Sequence, residues 1–236
     1  MKNSSFTLIA IVFIALSANS IATKAQENKD IAITNFTEVS VSSGIDLYLT
    51  QSSSENIRVN AHPDLLKNVV VEKKGNNLSI RYKDNISWGR LFKGQSIKVY
   101  VNYKTLQAIS ASGGSDVYSQ NTLKTDKLSI SASGGSDIDL NVIAKDIQIQ
   151  TSGGSDVNIK GNATNMEASS SGGSDIDALG FVVENARVTA SGGSDTSVHV
   201  TKALDVTASG GSDVNYKGNP AVKKSSGKSG EVNKIN

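Results

Sequence analysis

Six aspartates recur along the chain at nearly even spacing: Asp116, Asp137, Asp156, Asp175, Asp195 and Asp213. Each closes a copy of Ser-Gly-Gly-Ser-Asp, and the copies begin 18 to 21 residues apart. Carboxylates brought into line by a repeating backbone could hold a hard cation such as calcium, which takes several carboxylate and carbonyl oxygens. Two of them could instead work as a general acid and base. Stacked one coil apart at ~4.8 Å, neighbouring aspartates repel by roughly 0.9 kcal/mol even in a water-like dielectric, and a cation would relieve this. Asp139 and Asp177 add acids two residues further on. The calcium-binding repeat with a Gly-Gly-x-Gly-x-Asp turn, however, has a nine-residue period. Without a cation, each Asp is expected to accept hydrogen bonds from its own turn or a neighbouring Ser, as Asp does in turns.

Other site chemistry is sparse. The two histidines, His62 and His199, are far apart in sequence, and no cysteine is present, which excludes a thiol nucleophile. Gly-x-Ser-x-Gly, His-Glu-x-x-His and phosphate-loop patterns are missing. The Gly-Gly pairs superficially resemble a phosphate cradle but lack the Lys and helix that should follow. A polysaccharide-processing site would need acids converging with Arg81, Arg90 or Arg187 in a groove. Acids repeated at the same place in every copy instead suggest architecture, so neither catalysis nor a cofactor is expected.

The elements that must position these residues follow from the period. Self-similarity near 20 residues fits a solenoid, being too short for a propeller blade or a helical repeat. The segments between motifs are rich in Ser, Thr, Val and Ile and alternate with period two: Leu128, Ile130, Ala132; Ile147, Ile149; Val157, Ile159; Ala186, Val188, Ala190; Leu204, Val206, Ala208. That is the pattern of strands buried on one face. Strands without intervening helices, one coil per 19 to 20 residues, predict an all-β, parallel β-helix. The motif then becomes a corner made by Gly113 and Gly114, Gly134 and Gly135, Gly153 and Gly154, Gly172 and Gly173, Gly192 and Gly193, and Gly210 and Gly211. If the pleat runs through it unbroken, Gly134 and Ser136 point inward as small spacers and Asp137 points out.

Degenerate copies flank the regular ones. "VSSGIDLYLT" (41–50) carries Ser-Gly-x-Asp, and "SGKSGEV" (226–232) places Glu231 18 residues after Asp213. The latter reads as a final, decaying coil, with a frayed tail as the alternative. Residues 26–105 lack the motif yet contain strand-like runs at 45–50, 56–61, 69–73, 78–82 and 97–103. "KGNN" (74–77) fits a hairpin turn and His62-Pro63-Asp64 a bend. The loop 84–95 carries Trp88, Leu91 and Phe92, either covering the core or forming a contact surface. The expected division is thus 26–105 as irregular β coils and a hairpin, continuous with a repeat helix over 106–232, and a tail at 233–236.

Residues 1–25 read as a cleaved signal peptide. A basic start at Lys2 precedes the apolar run "FTLIAIVFIAL", too short to span a bilayer, with Thr23 and Ala25 at the cleavage positions. The whole chain has 24 Lys+Arg and 22 Asp+Glu; setting aside Lys2 and Lys24 leaves 22 of each sign. A neutral mature chain is no partner for nucleic acid, which needs a concentrated basic face. The expectation is an exported protein of the periplasm, outer surface or exterior, with no retained span and no disulfide, meeting a surface glycan or an envelope protein.

The order "FTEVSVSSGIDLYLTQ", "NLSIRY" and "IKVYVNYKTLQAISASGGSDV" resembles the head GIN domain family, described as auto-transporter adhesins, over roughly residues 36–220. The resemblance implies a right-handed, single-stranded β-helix and a role in adhesion. The chain shows no barrel segment of its own with which to transport itself.

Overall fold

The computed structural model describes residues 26–83, 95–226 and 229–236. Trp88, Leu91 and Phe92 lie outside the described residues. The described chain is a β-solenoid in a single hydrogen-bonded sheet system. Its regular part consists of β10 (Leu123–Ser133), which leads up to the second Gly-Gly corner, and four long strands that each run from one Gly-Gly corner to the next: β11 (Asp137–Ser152), β12 (Asp156–Ser171), β13 (Asp175–Ser191) and β14 (Asp195–Ala208). They pair parallel, with the register shifting near the midway bend between β12 and β13 and between β13 and β14: Ile130 lies beside Ile149, Ile149 beside Ala168, and Ala168 beside Val188. One coil is therefore one strand, bent midway. That bend also switches parity. In β11 the inward residues are Ile138, Leu140 and Val142 before it, and Ile147, Ile149 and Thr151 after it.

Inward side chains form ladders along the axis. One is Leu47, Val117, Ile138, Val157, Ile176, Thr196 and Val214, each at most 1% exposed. Burying such a side chain contributes about 1.5–3 kcal/mol, and branched residues fit the pleated surface. Next to the corner the ladder turns small and partly polar: Ala111, Ala132, Thr151, Ser170, Ala190 and Ala208. These leave room for a corner residue that also points inward.

The less regular region starts the stack. β3 (Ile45–Gln51), β7 (Ile97–Tyr103) and β9 (Val117–Ser119) continue one side of the solenoid in parallel register. β4 (Asn56–Ala61) and β1 (Glu27–Ile31) then extend it antiparallel. On the other side, β2 (Glu38–Ser42) joins β8 (Ala108–Ser112) to β6 (Asn77–Tyr82), which forms a hairpin with β5 (Val69–Lys74) about the "KGNN" turn. Reversed strands end the parallel stack here. Where a bend was expected, Pro63–Leu66 forms α1, a single helical turn capped by His62, and it buries Leu65.

At the far end, β15 (Asp213–Lys217), β16 (Ala221–Ser226) and β17 (Glu231–Lys234) complete the last coil. Asp213 pairs with Glu231 and Leu204 with Val222, so this segment is a coil and not a frayed tail. β17 runs past residue 232, and Ile235 N–H still donates to the Tyr216 carbonyl at 2.9 Å. No helix among the described residues is long and apolar enough to cross a membrane.

Candidate interaction face

The motif closes the corner in a way that the unbroken-pleat expectation misses. Both glycines of every copy have positive φ, 67° and 72° at Gly134 and Gly135, so the pleat is interrupted for two residues. Gly134 is exposed and is not an inward spacer. Parity nevertheless survives the corner: Ala132 before it and Ser136 and Ile138 after the glycines all point inward. The two glycines serve different ends. A Cβ at the first would meet the backbone N of the corner below it at 3.3 Å for Gly134 and 2.9 Å for Gly210, whereas Gly135 and Gly211 face open space. Backbone bonds join successive corners, as in Gly113 N–H to the Ser133 carbonyl at 3.2 Å and Gly114 N–H to the Gly134 carbonyl at 3.1 Å. Ser43 and Gly44, with φ of 75° and 64°, make a seventh corner at the degenerate early copy.

The residue that does point inward is the second serine. Ser115, Ser136, Ser155, Ser174, Ser194 and Ser212 are all fully buried. Their hydroxyls staple the corner. Oγ of Ser136, Ser174 and Ser212 donates to the carbonyl three residues back at 3.0, 2.9 and 2.8 Å. Oγ of Ser174, Ser194 and Ser212 accepts the N–H of Ser171, Ser191 and Ser209 at 3.2, 3.2 and 3.0 Å. Thr151, Ser170 and Thr196 join the same interior network. Each buried polar atom so paired escapes the desolvation cost of an orphan.

The six aspartates stand outside this corner in one row. Register extends the row to Asp46, beside Asp116, and to Glu231, beside Asp213, so eight carboxylates follow one another coil by coil. Lys98, paired with Asp46, ends the row, followed by Asn60. Asp175 accepts the N–H of Asp195, in the next coil and not in its own turn, at 3.2 Å. Among the described residues no three His, Cys, Asp or Glu side chains converge as metal ligands would. Partial burial, then Asp175 and Asp137, hold the Asp156 carboxyl above the usual carboxylate range. Burial and Asp116 do the same to Asp46, with Lys98 opposing.

The folded chain keeps the Asp156 proton to higher pH than the unfolded chain does. Ionised Asp156 therefore costs stability at neutral pH, and the cost fades as pH falls through the raised value to the ordinary one. Asp156→Asn is expected to raise the melting temperature by a degree or two, about what one relieved carboxylate contact supplies at low salt. The gain should shrink at high salt and vanish near pH 4. A melting temperature lowered at every pH would show that this carboxylate is needed.

A second outward row lies two residues on: Asp30, Arg58, Tyr100, Tyr48, Tyr118, Asp139, Asn158 and Asp177. Its three tyrosines stack as a ladder, Tyr48 against Tyr100 at 5.0 Å and 17°, and against Tyr118 at 5.3 Å and 23°. Lys98 Nζ lies 5.9 Å from the Tyr48 ring centre. Tyr118 OH donates to Asp116 at 3.4 Å, and burial, then the nearby carboxylates, push its pKa up to about 12. These tyrosines were missing from the sequence-derived candidates, although a signal exists. Asp46-x-Tyr48, Lys98-x-Tyr100 and Asp116-x-Tyr118 place Tyr at the position that holds Asp139, Asn158, Asp177, Ser197 and Asn215 in later coils. The arginines considered for a catalytic groove do not gather: Arg81, on β6, reaches Glu72 at 3.5 Å, Arg187, on β13, lies 3.7 Å from its register partner Asp205, and Arg90 is outside the described residues.

The chain is similar in structure to a protein of Bacteroides fragilis described as a "putative adhesin". The TM-score is 0.85 at 24% identity, covering 90% of this chain and 98% of the other. A "putative adhesin" of Parabacteroides distasonis gives 0.73 at 25% identity, covering 90% and 98%. A "putative lipid binding protein" from the same species gives 0.70 at 20%, covering 91% and 98%. No curated protein sequence matches. The sequence model described as "Putative auto-transporter adhesin, head GIN domain" matches residues 35–220, and the chain belongs to that family.

Proposed function

We propose that this protein is an exported, non-enzymatic binding scaffold of the cell envelope. It works as an adhesin does, by presenting one long patterned sheet face to a partner on a surface. The observation that carries this reading is the pair of outward rows, one of carboxylates and one of stacked tyrosines running on into Asp and Asn, which run in register across the solenoid. Side chains repeated along a face suit contact at many points, each weak, better than they suit one reacting centre. Family membership and the adhesin descriptions of the structural relatives support the same reading.

Labelled full-length mature protein is expected to bind intact bacterial cells or an arrayed glycan set saturably. A variant carrying Tyr48→Ser, Tyr100→Ser and Tyr118→Ser should lose about tenfold or more in affinity, since each ring in a contact contributes about 1 kcal/mol. Replacing Gln148 and Gln150, which face outward beyond the midway bend of β11, should change nothing. Absence of binding to every surface, or equal binding by the triple variant, would overturn the proposal.

A further inference from the structure

The face carries one concavity whose lining is neither acidic nor apolar. Asn28 of β1, Asn56, Arg58 and Asn60 of β4, and Tyr100 and Asn102 of β7 enclose a half-open recess of about 430 Å³. All of β4 and β7's contributors are at alternate positions on the outward side, so the pleat itself aims them together. Tyr48 covers one face of the Tyr100 ring from the β3 side. On the recess side Tyr100 borders β4, and the residue is 40% exposed, among the few large hydrophobic residues left open. Arg58 does not lie free in the recess. Its Nε donates to Asp30 Oδ1 at 2.8 Å and its Nη2 to Oδ2 at 3.4 Å, so the charge is already matched by a carboxylate on the neighbouring strand. Asn60 donates to Asn28 at 2.8 Å, which fixes that pair of amides. Asn56 and Asn102, opposite each other in register, spend no side-chain bond within the described residues.

From this lining we infer that the recess binds a neutral hexopyranose unit of a polysaccharide. The inference rests on the envelope-binding reading above and gives it a ligand class. Each asparagine offers a carbonyl acceptor and two N–H donors in one plane. Vicinal sugar hydroxyls, each both donor and acceptor, match two such amides. The free Tyr100 face offers apolar area to the C–H side of the ring, the usual pairing of an apolar wall with a few placed polar groups. The volume is at the lower end of small-ligand sites, room for one or two sugar units. Charge decides against an acidic sugar. A uronate would gain little from a guanidinium already neutralised by Asp30, and Lys98, which lies between Asn60 of the recess and Asp46, already faces that carboxylate.

The test is ligand-detected NMR and calorimetry on the whole mature chain. The probes are gluco-, galacto- and manno-configured neutral oligosaccharides and their uronate counterparts at millimolar concentration. At least one neutral oligosaccharide is expected to bind and the uronates to bind more weakly. Tyr100→Ala should weaken binding about tenfold, and Asn56→Ala with Asn102→Ala by a similar factor. Tyr100→Phe should retain binding, as should Gln148→Ala, which faces outward beyond the midway bend of β11 and lies in neither row. Because Tyr100→Ala removes a stacked ring, melting curves accompany each variant, and the asparagine pair gives a readout that does not disturb the ladder. Binding of no neutral oligosaccharide, preference for uronates, or binding untouched by both the Tyr100→Ala and asparagine variants would overturn the inference. If the wild type binds cells and Tyr100→Ala binds them equally, the recess fails while the scaffold reading stands. If the wild type binds no surface, the scaffold reading itself fails.

Discussion

Gly161→Ala is expected to lower folding stability by about 3 kcal/mol or more, the largest effect of any single-methyl change considered for this chain. Gly161 lies at the midway bend of β12 with φ of 119°, where the register between β12 and β13 shifts. An added Cβ there would stand 2.0 Å from the Val142 carbonyl oxygen of the preceding coil. That oxygen is backbone, so it cannot swing aside as a flexible side chain would. The substitution combines a conformation L residues avoid, worth about 1–3 kcal/mol, with forced displacement of a packed neighbour, worth about as much again. Gly135→Ala is the matched control. Its φ is also positive, at 72°, but its Cβ would meet nothing within 4 Å, so only the conformational cost of about 1 kcal/mol remains. Urea denaturation of the two variants checks the difference. Equal losses would mean that coil-to-coil contact at the midway bend is not limiting.

Ser174→Ala is the second large effect, at about 2 kcal/mol. The side chain is fully buried, and its hydroxyl donates to the Ser171 carbonyl, accepts the Ser171 N–H and lies 2.9 Å from Thr151 Oγ1. Alanine fits the space, so packing is nearly kept. What is lost is the partner of one buried and two part-buried polar groups, and an orphaned buried group costs about 1–3 kcal/mol. Ile45 occupies the equivalent place at the first corner, where its own N–H is served by Ser115 Oγ at 3.1 Å. An apolar residue is thus acceptable where the neighbouring coil supplies the hydroxyl. A loss of stability below about 0.5 kcal/mol would show that the serine ladder is incidental.

Much of this fold is legible in the sequence because the repeat imposes one environment on every coil. Period two along Leu128, Ile130 and Ala132 and a return near 20 residues leave few architectures, and the resemblance to the head GIN family names one of them. The corner was legible in location but not in geometry. A pattern of alternation continues across two residues that leave the sheet as smoothly as across two that stay, so Gly134 reads as inward when it is not. The chemical weight of the motif was also misplaced. A repeated Asp draws attention by its charge, whereas the second Ser, neutral and common, is the residue buried at each of the six Ser-Gly-Gly-Ser-Asp corners. The tyrosine ladder and the recess depend on pairing between Tyr48, Tyr100 and Arg58, up to 52 residues apart in the sequence, with β4 running antiparallel to β7. No local pattern carries that register. The short helix at Pro63–Leu66 was missed because four residues are too few to show a period.

The central claim is that Ser-Gly-Gly-Ser-Asp is a corner held by its glycines and inner serine, with the aspartate standing outside it. Adjacent residues of one copy test this most directly: urea unfolding of Ser174→Ala and Asp175→Asn, each beside wild type, in chelator and in millimolar calcium. The account predicts a loss of about 2 kcal/mol for Ser174→Ala, a change within about 0.5 kcal/mol for Asp175→Asn, and curves indifferent to calcium. The reverse order of the two losses, or a wild-type midpoint raised by calcium and no longer raised in Asp175→Asn, would contradict it.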